Sequence, residues 1–338
     1  MTNTVVNINH NISSELLSFY LSTGNIKFFH VEHKEQQNSN QNIIEISKSN
    51  PNTKKVVVDL ANAGFMAYVL RDGITSFVHH SVIRNLWLPV KNKEYSISAD
   101  NVVYLYEDAD ISINKHLVVM FYPVAPNPNS ASLNRYFPSN FKTLSNYLSK
   151  NYSILRIADV GGISGSFYMN TNFNKSNERN IQNLIKDVAE KNGIDRNNII
   201  MYGASKGGTG ALYHGILGGY ALVSIDPIVD DEHYINLGDL HNVNGIFPDS
   251  KREKFSDLLL PEKIMSKITI ITSHNSEQYP YITLATDKIK DHICLFNNIS
   301  PKIKTHVDVA PNSIHAILSA LNSFSFGIPH TAGVYNIS

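Results

Sequence analysis

The chain has 338 residues, with 29 lysines and arginines against 29 aspartates and glutamates, so its formal net charge is zero. This length can bury a sizeable core in one large domain or two smaller ones. The charge balance gives no reason to expect a nucleic-acid or anionic-membrane partner. A single cysteine, Cys294, excludes an internal disulfide framework. Because no apolar run reaches the ~18 residues of a membrane helix and no leader pattern opens the chain, we expect a soluble, cytoplasmic protein without a transmembrane segment.

The first 110 residues carry scattered local signals. Residues 15–20 predict a short helix, and the polar run at 35–42 predicts a loop. The β-branched and aromatic residues at 55–60 and 101–106 are typical of strands. We therefore expect residues 1–110 to form a strand-containing accessory region, either a small domain or an extension of the sheet that follows.

From residue 111 onward, expected strands and helices alternate. The strands have continuous apolar residues, which is typical of a mostly parallel central sheet with helices on both faces. The expected strands are 117–122, 153–157, 198–202, 221–225, 268–272 and 303–309, and the expected helices are 141–148, 178–192, 207–217 and one that begins near His315. The sequence thus predicts an α/β domain over residues 111–338, whose ligands bind at the carboxyl ends of the strands.

Two chemistries compete for residues 198–215, with the sequence NIIMYGASKGGTGALYHG. A phosphate-binding loop needs a lysine and a serine or threonine where its helix begins. Here Thr209 and Gly210 are followed by Ala211 and Leu212, so both groups are missing. The nucleotide-binding interpretation is therefore discounted.

A nucleophile elbow fits the same residues better. The pattern G-x-S-x-G places a serine on a tight turn between a strand and a helix, where only small flanking residues fit. Gly203, Ser205 and Gly207 match the pattern, between an expected strand and an expected helix. We therefore expect Ser205 to be a nucleophile, rather than a bystander in a glycine-rich turn.

A serine nucleophile needs a histidine base, which in this arrangement follows the last strand. His315 occupies that position if residues 303–309 form the strand. His306 then lies inside the strand, and His330 lies in the tail. We therefore select His315.

The carboxylate that orients the base has two candidates. Glu277 lies in the loop after the expected strand 268–272 and is ranked first. Asp226 directly follows the expected strand 221–225 and is the alternative, although Asp-Pro also favours a simple turn. Asp308 is near His315 but lies inside the expected last strand.

An oxyanion hole requires two backbone N–H donors. The residue after the nucleophile, Lys206, should provide one, and Val124 is the first candidate for the other because Pro123 has no N–H. The Lys206 side chain could contact an anionic ligand, but we expect it to lie in solvent. The glycine-rich segment 159–168 could border the site or be a surface loop.

Residues 227–262 are long and polar and are expected to form a lid insertion. They include the run Asp230-Asp231-Glu232-His233, whose spacing matches no metal-ligand pattern. We therefore expect no metal site.

Residues 198–215, together with the upstream segment DVGGISGSFYMN, resemble the XcbB/CpsF family of capsular polysaccharide biosynthesis proteins. More distantly they resemble α/β-hydrolase O-acetyltransferases that act on bacterial capsules and on glycans of accessory secretion systems. The resemblance covers roughly residues 80–320 and implies an α/β-hydrolase fold with a Ser–acid–His triad. Ser205 and His315 match this pattern, and Glu277 is the carboxylate at the position where those acetyltransferases place the acid.

The resemblance also implies a function. We expect serine-dependent O-acetylation of a glycan in surface polysaccharide biosynthesis, with acetyl-CoA as acyl donor and no tightly bound cofactor. The expected partners are a glycan or nucleotide-sugar-derived polysaccharide and the capsule biosynthesis machinery. Two alternatives remain: a carboxylesterase of the same fold, and a non-catalytic module that binds polysaccharide.

Overall fold

The computed structural model describes residues 4–34, 40–328 and 330–338. The described residues contain two β-sheets and the helices that cover them. The strands are β1 Val5–Asn9, β2 Phe28–Glu32, β3 Phe65–Arg71, β4 Ile74–His79, β5 Ser96–Ile97, β6 Val103–Glu107, β7 His116–Phe121, β8 Tyr152–Ile157, β9 Ile199–Ala204, β10 Ala221–Ile225, β11 Ile268–Thr272, β12 Ile293–Asn298 and β13 Gly333–Ile337. Residues 35–39, within the predicted loop 35–42, lie outside the described residues.

Twelve α-helices lie in the described part of the chain. They are α1 Ser14–Ser22, α2 Ile43–Ile46, α3 Pro51–Asn62, α4 Ile83–Leu86, α5 Leu88–Lys91, α6 Asn177–Lys191, α7 Lys206–Gly218, α8 Glu232–Asn236, α9 Lys251–Leu258, α10 Tyr279–Thr286, α11 His306–Val309 and α12 Ile314–Ser325. Four of them (α2, α4, α5 and α11) have only four residues each. No helix in the described part of the chain is both long enough and apolar enough to cross a membrane.

The first sheet has four strands in the order β1-β2-β4-β3. Its strands β3 and β4 form a hairpin whose turn residues Asp72 and Gly73 both have positive φ, which suits the right-handed twist of the strands. Phe29, Phe77 and Leu60 are fully buried between this sheet and α3. The predicted helix at 15–20 is part of α1.

The prediction of a strand at 55–60 is wrong, because these residues belong to helix α3. Pro51 occupies the first turn, where a missing N–H costs nothing, and the Asn50 side chain caps the helix by accepting from Thr53 N at 3.1 Å. Val56 and Leu60, four residues apart, are both buried. The buried residues Thr53, Val56, Val57 and Leu60 follow the spacing of one helix face, and this amphipathic pattern outweighs the strand propensity of valine.

The second sheet has nine strands in the order β13-β12-β11-β10-β9-β7-β8-β6-β5. All neighbours from β13 to β8 are parallel, while β6 and β5 are added antiparallel at one edge. Helices α6, α7, α9 and α10 cover one face, and α12 covers the other. This is an α/β-hydrolase-like fold, as the alternation of continuous apolar strands predicted.

The chain passes from the first sheet to the second within the expected accessory region, residues 1–110. Strands β5 and β6 precede residue 110, yet their backbones pair with each other and with β8 in the large sheet. The change therefore falls between β4 and β5, after His79, because strand pairing rather than local composition decides it. The division into an accessory region and a catalytic domain stays a prediction.

Two further local predictions differ from the structure. Residues 141–148 contain only a single 3₁₀ turn, Leu144–Asn146. Strand β12 was not predicted, although Cys294 lies within it and is 3% exposed. Burial raises the pKa of the Cys294 thiol to about 11, so this side chain stays protonated and inert near neutral pH.

Candidate active site

Ser205 lies on the turn between β9 and α7 with φ 56° and ψ −122°. A positive φ is strained for a residue with a Cβ, and such strain persists only where the surrounding structure imposes it. A Cβ on Gly203 would meet Gly207 O at 2.1 Å, and a Cβ on Gly207 would meet Phe121 O at 2.2 Å. Both contacts are with rigid backbone, so the turn requires glycine on each side. The local geometry is that of a nucleophile elbow.

The imidazole of His306 joins Ser205 to a buried carboxylate. Its Nε2 lies 2.7 Å from Ser205 Oγ, and its Nδ1 lies 2.7 Å from Asp226 Oδ2. The His306 side chain is 10% exposed and that of Asp226 is 2% exposed. A carboxylate on Nδ1 fixes the tautomer that leaves Nε2 free to accept the hydroxyl proton.

Asp226 directly follows β10 and is held from three sides. Its Oδ1 accepts from Thr272 Oγ1 at 2.5 Å, and its Oδ2 accepts from the Ser276 hydroxyl as well as bonding His306. Its own φ is 42°, and its backbone N–H donates to Ile271 O at 2.8 Å. The alternative acid of the sequence analysis is therefore the carboxylate on the imidazole, rather than a cap of the following turn.

Glu277, ranked first as the acid, contacts the same histidine in a different way. Its Oε2 accepts a hydrogen bond from the backbone N–H of His306 at 2.7 Å and does not bond the ring. The Glu277 carboxylate thus fixes the main chain at the start of α11. A Thr305–Asp308 capping box stabilises the N-terminus of the same helix, since Asp308 Oδ2 accepts from Thr305 N at 3.1 Å.

The choice of His315 as the base is wrong in this structure. His315 is exposed on α12, and it has no hydrogen bond to Ser205. The cause is the predicted strand 303–309, which is a turn followed by α11. The parallel strand that precedes this region is β12, and the connection after β12 carries His306. Recognising β12 would have removed the reason to place His306 inside a strand, and both His306 and His315 would then have followed the late strand.

His330 lies at the other end of the sheet. Its Nδ1 is 3.2 Å from Thr269 Oγ1, near the amino end of β11. The serine lies at the carboxyl end of β9, so these two groups are separated by the length of the strands.

The two residues whose backbone amides the sequence predicts to form an oxyanion hole lie at the serine turn and beside the cavity, and their catalytic role stays a prediction. Lys206 is the first residue of α7, and Val124 lines the cavity that contains Ser205. Tyr122 N is already used by the Tyr168 hydroxyl at 2.6 Å, and Pro123 has no N–H. Among the described residues neither the Val124 nor the Lys206 amide has a hydrogen-bond partner.

The sequence-based expectation that the Lys206 side chain lies in solvent is wrong, because this side chain is fully buried. Its Nζ lies 2.7 Å from Asp159 Oδ2, and both side chains are 0% exposed. The two groups form a close ion pair whose geometry is not that of a well-aligned hydrogen bond. An ammonium in the interior requires such a counter-charge, because desolvation without one costs several kcal/mol.

The glycine-rich segment 159–168 closes around this ion pair. Asp159 Oδ1 accepts from Ser166 N at 3.0 Å, from Ser166 Oγ at 2.5 Å and from Tyr168 N at 2.9 Å. A Cβ on Gly165 would lie 2.3 Å from Asp159 Oδ2 and 2.7 Å from Lys206 Nζ. The segment is therefore a buried support beneath the elbow rather than a surface loop.

A cavity of about 720 Å³ opens in front of Ser205. Most of its wall is apolar, and among the described lining residues there is no lysine or arginine. The lining side chains include Val124, Pro126, Phe141, Tyr202, Tyr234, His241, Val307, Pro311, Ile314 and Ile317. Cavities of this size and character hold small organic ligands.

The predicted lid segment 227–262 reaches this cavity through Tyr234 and His241. Burial lowers the pKa of His241 to about 3, so its imidazole is neutral at ordinary pH. The acidic residues of the same segment form ion pairs, Asp230 with Arg252 and Asp231 with Lys251. Whether the segment moves as a lid stays a prediction.

Comparisons with known proteins agree with this fold. The chain matches the capsule O-acetyltransferase of Neisseria meningitidis serogroup A with a TM-score of 0.50 and 15% identity, over 69% of this chain and 94% of that one. It matches a 2,6-dihydroxy-pseudo-oxynicotine hydrolase with a TM-score of 0.51 and 12% identity, over 86% of this chain and 87% of that one. No protein-family model and no curated protein sequence matches the chain. At these identities the likeness extends to the fold alone, and the resemblance to the XcbB/CpsF family stays a prediction.

The buried pair gives a stability prediction. Replacing Lys206→Met leaves the Asp159 carboxylate buried without its cation, so we expect a loss of about 3–5 kcal/mol in the free energy of unfolding. The double variant Lys206→Met/Asp159→Asn removes both charges and keeps an acceptor at Oδ1, so it should recover part of that loss. Urea denaturation monitored by circular dichroism measures both. Lys186→Met, at a 69% exposed side chain, is the control and should stay near wild type. Equal midpoints for Lys206→Met and the control would contradict a stabilising role for the pair.

Proposed function

We propose that the protein is a serine-dependent acyl-transfer enzyme that works through an acyl-Ser205 intermediate. The observation that carries this proposal is the continuous contact from Ser205 Oγ through the His306 imidazole to Asp226, with 2.7 Å at each step. A serine hydroxyl is a weak nucleophile by itself, and this arrangement supplies both a base and a group that orients the base. The strained elbow presents the hydroxyl to the cavity.

In the first half-reaction, Ser205 Oγ attacks the acyl carbonyl while His306 Nε2 accepts the hydroxyl proton. Asp226 stabilises the imidazolium that forms, without taking the proton itself. The carbonyl oxygen becomes an oxyanion, which the amides of Val124 and Lys206 stabilise. The imidazolium then gives its proton to the leaving group, and the acyl group remains on Ser205.

In the second half-reaction, an acceptor hydroxyl replaces the leaving group. His306 removes the proton from this hydroxyl as it attacks the acyl-serine, and returns the proton to Ser205 Oγ when the serine departs. The side chains that hold His306 in place serve both steps, since the same imidazole alternates between base and acid. A sugar hydroxyl as acceptor gives an O-acylated glycan, and water gives hydrolysis.

We take O-acetylation of a surface glycan as the specific form of the proposal, with acetyl-CoA as the donor and the capsule biosynthesis machinery as the setting. This choice is supported by the resemblance of residues 198–215 and the upstream loop to capsule biosynthesis proteins. The reaction named for the Neisseria structure is one that the arrangement of Ser205, His306 and Asp226 can perform.

A second candidate is an esterase of the same fold, and the wall of the cavity favours it. Around Ser205 the cavity presents Pro126, Ile314, Ile317 and Phe141, which suit an apolar ester better than a sugar. The two candidates share the acyl-enzyme and differ in what removes the acyl group. Exclusion of water and an acceptor site therefore decide between them.

The nucleophile and its base can be tested together by intact mass after treatment with a serine-directed fluorophosphonate. We expect one adduct on the wild type and on His315→Ala, and none on Ser205→Ala. His306→Ala should react roughly 10²–10⁴-fold more slowly, because the hydroxyl loses its general base. Labelling of Ser205→Ala, or equal rates for the two histidine variants, would contradict the proposed site.

A matched pair of substitutions distinguishes the roles of the Asp226 and Glu277 carboxylates. Asp226→Asn disturbs the tautomer of His306, so kcat for a chromogenic acetate ester should fall by about 10⁴-fold, as in serine proteases. Glu277→Gln keeps an acceptor oxygen for the His306 backbone, so its loss should be far smaller. Steady-state kinetics of both variants measures the difference. A larger loss for Glu277→Gln would return Glu277 to the role of acid.

The acceptor is tested by release of free thiol from acetyl-CoA with and without a polysaccharide from the capsule of the source cell. We expect the acceptor to accelerate thiol release in wild type but not in Ser205→Ala. If the polysaccharide has no effect while p-nitrophenyl hexanoate is cleaved faster than the acetate, the esterase is the better assignment.

A further inference from the structure

A second cavity, of about 320 Å³, lies beside the one that contains Ser205. It plays no part in the acyl-transfer chemistry described above. Its wall is formed by Tyr95, Leu105, Glu107, Tyr122, Phe137, Pro138, Ser139, Lys142 and Arg156. Several of these side chains are polar or charged, in contrast to the largely apolar wall of the first cavity.

The two cavities are neighbours on one face of the large sheet. Tyr202 of the first cavity pairs in register with Met120 on β7, and Met120 pairs with Arg156 of the second cavity on β8. Two strand spacings, roughly 10 Å, therefore separate the Tyr202 and Arg156 backbones. Segment 138–142 forms the partition, since Asn140 and Phe141 line the first cavity while Ser139 and Lys142 line the second.

Arg156 is the central feature of the second cavity. The residue is 2% exposed, and its Nε donates to Glu107 Oε1 at 2.7 Å. Its Nη1 donates to Met120 Sδ at 3.0 Å and to Phe141 O at 3.4 Å, but its buried Nη2 has no hydrogen-bond partner within the described part of the chain. A guanidinium carries five N–H donors, and leaving some of them buried and unpaired costs free energy. The Tyr122 hydroxyl lies close enough to interact with this guanidinium, so the chain supplies part of its pairing and leaves Nη2 without a well-aligned acceptor.

The surroundings of Arg156 indicate what that partner is. The lining carries two positive groups, Arg156 and Lys142, against the single carboxylate of Glu107, which already bonds Arg156. The hydroxyls of Tyr95 and Ser139 lie on residues of the same wall and can donate further hydrogen bonds, while the Tyr122 hydroxyl supports Arg156 itself. An excess of positive charge combined with hydroxyl donors suits an oxyanion, and arginine binds phosphate oxygens in a two-pronged geometry.

We propose that this second cavity is a binding site for a phosphate group, held by Arg156, Lys142 and the neighbouring hydroxyls. The site lies next to the acyl-transfer cavity, so it holds a phosphate carried by the acyl donor or acceptor while the reacting end reaches Ser205. This second statement rests on the proposed function, whereas the binding of phosphate does not. The same chemistry would also bind free phosphate, and the experiments below separate these sources.

Binding is tested with inorganic phosphate, by ³¹P NMR titration and by thermal denaturation against chloride at matched ionic strength. We expect saturable binding and stabilisation of the wild type and of Ser205→Ala. Lys142→Gln and Tyr122→Phe should each weaken binding several-fold, because the first removes a positive charge and the second removes a hydroxyl. Arg156→Gln should weaken it by about tenfold or more.

Lys186→Gln is the matched control, since it removes the same charge from an exposed lysine on α6 and should bind as the wild type does. Arg156→Gln could fail to fold because the residue is buried, so Lys142→Gln and Tyr122→Phe decide the outcome. Wild-type affinity in both of these variants, or no binding by the wild type, overturns the site.

The source of the phosphate is resolved with two acetyl donors. Acetyl-CoA carries phosphates, and acetyl-pantetheine carries none. If the site holds the phosphate of the donor, Lys142→Gln raises KM for acetyl-CoA several-fold and leaves KM for acetyl-pantetheine unchanged. Equal KM values for wild type and variant with both donors, together with intact phosphate binding in the titration, overturn the link to the donor. Absence of acyl transfer from either donor counts against the proposed function, and the titration still decides the phosphate site.

Discussion

The close approach of backbones at the Ser205 turn is the constraint on which the rest of the site depends. Strand β9, helix α7 and the end of β7 meet so tightly that a Cβ on Gly203 or Gly207 would collide with carbonyl groups. This contact holds Ser205 at a positive φ and makes Lys206 the first residue of a helix. The direction of the hydroxyl and the direction of the Lys206 amide are therefore set by the same packing. The strain is local and is offset by the fully buried sheet on either side.

Three carboxylates, Glu277, Asp226 and Asp159, hold the other residues of the site against this turn. Glu277 and Asp226 lie in the connections that follow two neighbouring strands. Glu277 accepts from the backbone N–H of His306, and Asp226 bonds the imidazole ring. Asp159 restrains the far side of the elbow through the buried Lys206 ammonium. Because Asp226 and Asp159 are themselves held by hydrogen bonds from neighbouring groups, the imidazole and the hydroxyl meet without help from a ligand. Such preorganisation is what an acyl-transfer site needs.

The two neighbouring cavities differ in the chemistry of their walls. The space before Ser205 is apolar, while the space around Arg156 is charged and carries an unpaired donor. Segment 138–142 contributes to both walls, and its Phe141 carbonyl contacts Arg156. A ligand with an apolar acyl portion and an anionic group would match both spaces. This arrangement joins the proposed acyl transfer to the proposed phosphate site, although each can be tested without the other.

The sequence by itself determined the elements whose signals are local. The glycines around Ser205, the continuous apolar strands and the stripe of α6 each report a contact that any α/β sheet must make, so the fold and the serine turn could be predicted from them. The histidine could not be predicted, because residues 303–309 have the composition of a strand but form a turn and helix α11, and because the sequence did not predict β12. Which of two nearby histidines meets the serine depends on how the connection after β12 folds back, and that is decided by the distant carboxylate of Glu277. The burial of Lys206 likewise depends on Asp159, 47 positions away in the chain, since only the tertiary structure places a counter-charge where an isolated lysine would prefer water.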